Sequence, residues 1–184
     1  MDDDEETRTG VARLLRANGY EVRTHASAGD FLLAPTDARS SCIVLDLQMP
    51  GPSGLELQRG VSLPIVFLTG HGDLTAGVQA MKAGAVDFLA KPVDADSLLQ
   101  AVAAALARSR AAAERRDVQS RHDALTPRER AVFEQVVAGK ANKQIGRALG
   151  ITERTVKMHR AQVMAKMRAA SVADLVRDAE LLKR

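Results

Sequence analysis

Carboxylates stand at two places in this 184-residue chain where they could serve a cation. Asp2, Asp3 and Asp4 run consecutively ahead of a helical pattern, and Asp46 ends the second strand-like segment in Val44-Leu45-Asp46-Leu47-Gln48-Met49-Pro50-Gly51. Thr69 and Lys91 end two later strand-like segments. Convergent carboxylates repel one another and need a hard cation, which implies Mg²⁺. A carboxylate beside Mg²⁺ can act as nucleophile toward a phosphoryl group, and a lysine ammonium and a threonine hydroxyl can bind the resulting phosphoryl oxygens. Singly, each feature has an ordinary reading: an acidic helix start favoured by the dipole, a lysine before a proline as a turn. Their joint placement at strand ends carries the argument, because open α/β sheets gather functional groups there.

The elements that would position these groups alternate. Glu5 to Asn18 sets Val11, Leu14 and Leu15 on one helical face, and Gly19 stops it. Tyr20 to Thr24 alternates like a strand, and Ser27 caps a short helix through Leu33 with Pro35 just beyond. Cys42 to Leu47 and Ile65 to Leu68 are apolar runs of the kind buried on both faces, and Val86 to Ala90 reads as a further strand. Short helices are expected over 53–59 and from an Asp73 cap to about Ala83, where Gly84 ends the second. A long Ala/Leu-rich helix begins near Asp94. This alternation implies a parallel sheet with helices on both faces.

Composition bounds the rest. Apolar residues make up 46% of the chain and aromatics 3%, so cores must be built from Ala, Val, Leu and Ile. The single cysteine, Cys42, opens an apolar run and cannot form an internal disulfide, which points to a reducing cytoplasm. No apolar stretch reaches membrane length and no leader pattern stands at the start, so a soluble, cytoplasmic protein without a membrane partner is expected. Charge is divided: residues 1–106 carry 8 Lys/Arg against 14 Asp/Glu, and residues 107–184 carry 18 against 9. An acidic half joined to a basic half suggests that only the second meets a polyanion. The segment 107–124 is Ala-rich, charged and free of Gly and Pro, which reads as a helical linker.

The second half is helical throughout, with helices expected at about 127–138, 141–148, 152–168 and 171–182. Thr126 caps a helix with Pro127 first and Glu129 three residues after the cap, as in a capping box. Gly150 supplies a tight turn and Thr152 caps the next helix, which is helix-turn-helix spacing. On that helix Val156, Val163 and Met167 face a core, and Arg154, Lys157, Arg160, Ala161 and Arg168 face outward. Met164 and Met167 read as packing residues, and His159 as a surface or packing residue rather than a metal ligand.

Two families enter on these residues. Asp2/Asp3, Asp46 with Met49-Pro50-Gly51, Thr69-Gly70-His71-Gly72 and Phe88-Leu89-Ala90-Lys91-Pro92 resemble the receiver domain of two-component response regulators, FixJ-like in flavour, over residues 2–106. The resemblance implies a doubly wound, flavodoxin-like α/β domain in which Asp46 accepts phosphate from a sensor histidine kinase. It implies that Asp2, Asp3, Asp46 and the Gln48 carbonyl serve Mg²⁺, that Thr69 and Phe88 form a switch pair, and that Lys91 contacts the phosphoryl group. Lys91-Pro92 becomes a candidate cis peptide. Residues 125–168 resemble the LuxR-type DNA-binding domain, which implies an all-α four-helix fold with 171–182 as a dimer-forming helix. Carried over, Lys143 matches a phosphate contact on double-stranded promoter DNA, and Thr155, Lys157, Met158 and Ala161 take groove-facing positions. The expected organisation is a receiver domain over 1–106, a linker over 107–124 and a helix-turn-helix domain over 125–184, acting as a non-enzymatic homodimeric regulator when phosphorylated or DNA-bound.

Two departures from the receiver pattern shape the expectations. Only Met1 precedes Asp2 where the family has a buried first strand, so two strands lose a ladder partner and the acidic pair is expected to be untethered. A natural start upstream, with about six more residues forming a Val/Ile-rich strand, is the corresponding expectation. The third helix is also short. The alternative reading is a phosphorylation-independent DNA-binding protein whose receiver is only a dimerising scaffold. A haloacid-dehalogenase-type phosphatase would need a second aspartate two residues after Asp46, where Gln48 stands.

Overall fold

The computed structural model describes residues 1–34, 40–49, 53–70 and 74–183. The chain folds as two compact units, Met1–Ala113 and Glu114–Arg184. Pro35, Pro50-Gly51, His71-Gly72 and the Asp73 cap lie outside the described residues. Among those described, no helix is long and apolar enough to cross a membrane.

The first unit runs α1 (Glu5–Ala17), α2 (Ala28–Leu33), β1 (Ile43–Asp46), α3 (Gly54–Gly60), β2 (Ile65–Thr69), α4 (Leu74–Lys82) and β3 (Asp87–Ala90), then the start of α5 (Ala95–Asp123). The three strands form one parallel sheet in the order β1-β2-β3. Registers such as Asp46↔Leu68 and Thr69↔Ala90 bring the carboxyl ends of the strands level. Successive side chains leave opposite faces of a strand. Ile43, Leu45 and Phe67 thus join one apolar cluster with Ala28, Leu57 and Ala80, while Val44 and Leu68 join another with Leu15, Leu98 and Val102. Every residue of β2 is buried, as a central strand covered on both faces requires.

Local chemistry sets the helix ends. Asp4 caps α1 by accepting from the amides of Glu6 and Thr7, Ser27 caps α2, and Ser53 with Glu56 forms a capping box on α3. Two expectations are corrected. Tyr20 to Thr24 forms no strand, because its alternating pattern has no neighbouring ladder to bond. The acidic pair is tethered, since Met1 stands in for a strand: its amino group donates to the Val44 carbonyl (2.7 Å) and its carbonyl accepts from the Asp46 amide (2.9 Å). Arg8 adds a second tether, Nη1 donating to the carbonyl of Asp2 at 2.8 Å.

Residues 107–123 are helical as part of the unbroken α5. Both ends of that stretch are packed: Ser109 is buried and accepts from the Ser41 amide in the first unit, and Val118 lies in the core of the second.

The second unit continues with α6 (Pro127–Val137), α7 (Asn142–Leu149), α8 (Glu153–Met167) and α9 (Val172–Lys183). Its core gathers Val118, Leu125, Val132, Phe133, Ile145, Val156, Val163, Met167 and Leu175. The Thr126/Glu129 capping box is present, and buried Glu129 also accepts from Lys166 Nζ at 2.7 Å. That hydrogen bond, then the backbone and side-chain bonds at Thr126, hold the Glu129 carboxyl below the usual glutamate range. Thr152 caps α8, and Gly150 ends α7 in the left-handed region (φ 65°). Gly146 sits against the turn so closely that a Cβ would lie 2.7 Å from the Ile151 carbonyl oxygen.

That approach fixes the sign of one substitution. Gly146→Ala gains helix propensity of about 1 kcal/mol but drives a methyl into backbone, an overpacking cost of about 1–3 kcal/mol. It should lower the melting temperature. Gly10→Ala, on α1 with nothing within 4 Å of the added atom, should raise it. Thermal melting of the two single variants checks the pair, and the ordering reverses if the α7–α8 contact is loose.

Candidate functional site

The carboxyl end of the sheet assembles the acidic group. Asp46 closes β1 and Thr69 closes β2, both buried, and Lys91 follows β3 directly. Asp2 is buried beside them and Asp3 is exposed. Carboxylate oxygens of Asp2, Asp3 and Asp46 lie within 4.8 Å of one another. Lys91 Nζ lies 2.8 Å from Oδ2 of Asp46 and 2.8 Å from Oδ2 of Asp2. The first contact is a hydrogen bond, whereas the second is an ion pair without hydrogen-bond geometry, and it leaves a buried Asp2 oxygen with no good donor. Burial opposes the Lys91 charge, but the close contacts with Asp2 and Asp46 and their negative charge outweigh it. The Lys91 pKa therefore lies above the ordinary lysine value. Its stabilising contribution is complete at neutral pH and is lost only as pH rises through that raised value.

Three carboxylates gathered beside one lysine ammonium leave negative charge in excess. The donor set is all oxygen, which suits a hard divalent cation such as Mg²⁺. Gln48 follows Asp46 by two residues, its amide donating to Asp46 Oδ1 at 3.3 Å. The Thr69 hydroxyl donates to the Gly70 carbonyl, and the Lys91 amide donates to the Thr69 carbonyl at 2.7 Å. Phe88 on β3 is half-buried over Gly77 of α4, where a Cβ would meet the ring at 2.4 Å. The Lys91-Pro92 peptide is cis. Arg8 and Met1 were not foreseen as anchors. Arg8 could be read only from its place one turn into a helix behind the acids, and Met1 carries no side-chain signal at all.

On the second unit, Arg154, Lys157, Met158 and Ala161 are exposed at spacings of three and four, hence on one face of α8. Val156, Val163 and Met167 are buried on the opposite face. Lys143 on α7 is exposed. Thr155 is half-buried, its hydroxyl 2.9 Å from that of the Thr152 cap. Arg160 departs from the expected outward position: it is half-buried and donates to Asn142 Oδ1 at 2.9 Å, which fastens α8 to the start of α7. The capped, basic α8 behind a tight turn has the form of a helix that enters a DNA groove.

These two constellations have close counterparts. Residues 1–103 match the response regulator receiver domain, and residues 123–179 match the bacterial regulatory proteins of the luxR family. The chain belongs to the response-regulator family. It is 46% identical to the transcriptional regulatory protein FixJ of Azorhizobium caulinodans, over 98% of this chain and 90% of that protein. It is 44% identical to nodulation protein W of Bradyrhizobium diazoefficiens, over 99% of this chain and 84% of that one. Among solved structures, the response regulator StyR aligns with a TM-score of 0.72 at 43% identity, over 98% of this chain and 96% of that one. Full-length FixJ from B. japonicum aligns at 0.57 and 39% identity, over 98% and 93%. This response regulator therefore joins a flavodoxin-like receiver domain to a helical LuxR-type DNA-binding domain, and it is a transcriptional regulator of the two-component type.

The receiver geometry makes a prediction about charge. Lys91→Ala removes the ammonium between Asp2 and Asp46, so the variant should melt at lower temperature than the parent without divalent ions. Millimolar Mg²⁺ should then raise its melting temperature more than it raises the parent's, since a ligand of the folded state stabilises by mass action. Equal Mg²⁺ shifts in the two proteins would show that the carboxylates do not share a cation.

Proposed function

We propose that Asp46 is the phosphoacceptor of this response regulator, on the strength of one observation: it is a buried carboxylate at a strand end, bridged by Lys91 to a second buried carboxylate. Asp2, Asp3, Asp46 and the Gln48 carbonyl would hold Mg²⁺, whose chemistry is to offset charge on the transferring phosphoryl group. An Asp46 oxygen attacks the phosphorus of a phosphohistidine on a sensor kinase. The new O–P bond forms as the N–P bond breaks, and the bonding pair returns to the imidazole nitrogen. The Lys91 ammonium then neutralises the added phosphoryl oxygens. The Thr69 hydroxyl exchanges the Gly70 carbonyl for a phosphoryl oxygen, and Phe88 repacks on Gly77, which carries the change to the face of α4 bearing Met81 and Lys82. Receiver, linker and DNA-binding domain occupy about 1–106, 107–124 and 125–184. The protein works in the cytoplasm, without enzymatic turnover of its own, as a homodimer when phosphorylated or bound to DNA.

On DNA, α8 lies in the major groove with Arg154, Thr155, Lys157, Met158 and Ala161 toward the bases and Lys143 on a phosphate. Arg160 acts from its bond to Asn142, orienting the helix. A dimer doubles the few base pairs one helix reads, with half-sites about 10 bp apart. A second reading is a DNA-binding regulator that works without phosphorylation, its receiver a dimerising scaffold; the segment Tyr20–Thr24, which joins no strand of the sheet, favours it.

Acetyl phosphate with Mg²⁺ separates the two readings. Intact mass should show one added phosphoryl group, which Asp46→Asn abolishes and Mg²⁺ chelation prevents. No mass gain in the parent protein favours the second reading. For DNA, Lys157→Ala should weaken specific binding by about 1–3 kcal/mol, while Lys143→Ala weakens binding to all sequences and flattens the salt dependence by about one unit. Titrations of operator and random duplexes at several salt concentrations check this. Sedimentation of phosphorylated and unmodified protein should show a shift toward dimer.

A further inference from the structure

The last turn of α5 holds an arginine that reaches two other helices. Arg121 is mostly buried, its side chain 17% exposed. Its Nη1 donates to the carbonyl of Met167, the last residue of α8, and lies 3.5 Å from Oδ2 of Asp178 on α9. Its Nη2 lies 3.2 Å from Oδ2 of Asp117, one turn earlier in α5, which orients the fork. Val118, on the same face of α5, is buried in the core that also holds Met167 and Leu175. Three helices therefore meet at one guanidinium.

The contact meets a need of α8. The last four carbonyls of a helix have no partner within it. Backbone groups answer two of them here. The amide of Arg168, in the left-handed region at φ 56°, donates toward Ala165 O and Met164 O, and the Ala169 amide donates to Met164 O at 3.0 Å. Arg121 takes Met167 O, and its charge suits the negative end of the helix dipole. Asp178 is a buried carboxylate that burial pushes above the ordinary aspartate range, and the Arg121 charge works against that shift. Lys166 ties the same turn of α8 to α6 through Glu129, whereas Arg121 ties it to α5 and α9.

We propose that Arg121 is a positioning residue for DNA reading: it fixes the far end of α8, so that the groove-facing side chains nearer the start of the helix are correctly aimed. This rests on the reading of α8 as the helix that enters the groove. The mechanics are those of a rod held at two points. Arg160 bonds Asn142 and pins the middle of α8 to α7. Met167 lies about 10 Å beyond Arg160, and Lys157 about 5 Å before it, at the rise of a helix. A slip of about 1 Å at Met167 swings Lys157 by about 0.5 Å, which is the tolerance of a specific contact. Attraction to phosphate charge is indifferent to a slip of that size.

The test compares two duplexes on the full-length chain, one enriched from a random-sequence pool by the parent protein and one of random sequence. Arg121→Gln, too short to reach Met167 O, should weaken binding to the enriched duplex by about 10-fold, the scale of one spoiled base contact. Binding to the random duplex should fall by less than about 2-fold, since it rests on phosphate charge. A variant that is merely less folded loses both alike. Arg121→Gln also leaves Asp178 buried without the Arg121 charge and should melt lower. Adding Asp178→Asn removes the stranded carboxylate charge, so the double variant should recover most of the melting temperature and none of the discrimination. The double variant carries the measurement if the single one does not fold. Equal losses on both duplexes, or discrimination that returns with the melting temperature, overturns the proposal. Lys157→Ala separates it from the reading beneath: if that variant binds the enriched duplex as well as the parent does, α8 is not the reading helix and both fall. If Lys157→Ala weakens that binding and Arg121→Gln does not, only the role of Arg121 is wrong.

Discussion

One ammonium between two buried carboxylates is the contact on which the receiver unit turns. Lys91 reaches Asp46 and Asp2 at 2.8 Å each, and its charge offsets part of the cost of burying them. An unpaired buried charge costs several kcal/mol, and a pair recovers that only where geometry is good. The geometry comes from the sheet. Parallel pairing sets Asp46 level with Leu68 and Thr69 level with Ala90, so residues 45 positions apart in the chain meet at one edge. Remove the register and the cluster becomes three unrelated surface acids.

Much of this was readable before any fold was known, for reasons that differ by residue. Asp46, Thr69 and Lys91 were legible because each ends an apolar run, and such runs become buried parallel strands whose ends converge. Thr126, Pro127, Glu129, Gly150 and Thr152 were legible because capping and turn chemistry is local and acts within four residues. Lys166 on Glu129 and Arg160 on Asn142 were not, since those partners lie 37 and 18 residues away and pair only once helices pack. The strand expected at Tyr20–Thr24 shows the opposite failure. Its pattern is genuine, but a strand is defined by a neighbour, and no pattern within a segment supplies one. Met1 is the counterpart error: a residue with no polar side chain tethers the acidic pair through main chain alone.

The DNA-binding unit depends on close backbone approach rather than charge. Gly146 lets α7 touch the turn at Ile151, whose amide bonds back to the Gly146 carbonyl at 3.0 Å. That contact, with Gly150 in the left-handed region and the Arg160–Asn142 bond, fixes the angle between α7 and α8. Base readout needs side chains held to within a fraction of an ångström on a rigid element. The exposed face of α8 can therefore vary while the buried face and the turn cannot. The apolar Ala161 and flexible Met158 sit on the exposed face.

The two halves thus use charge in opposite ways, which explains why a net charge of only +3 says little. In the receiver, acids are drawn to a largely buried edge and only partly offset by one lysine, so that charge added there would be felt strongly in a medium that screens little. In the second unit, Lys143, Arg154 and Lys157 stay exposed and unbalanced. Exposed charge of that kind acts at long range, attracts a polyanion in a salt-dependent way, and needs no precise partner. A buried, partly compensated cluster suits a switch, and an exposed, uncompensated face suits a search. Exchanging the two arrangements would spoil both: exposed carboxylates would be screened from the signal, and buried lysines would lose the DNA.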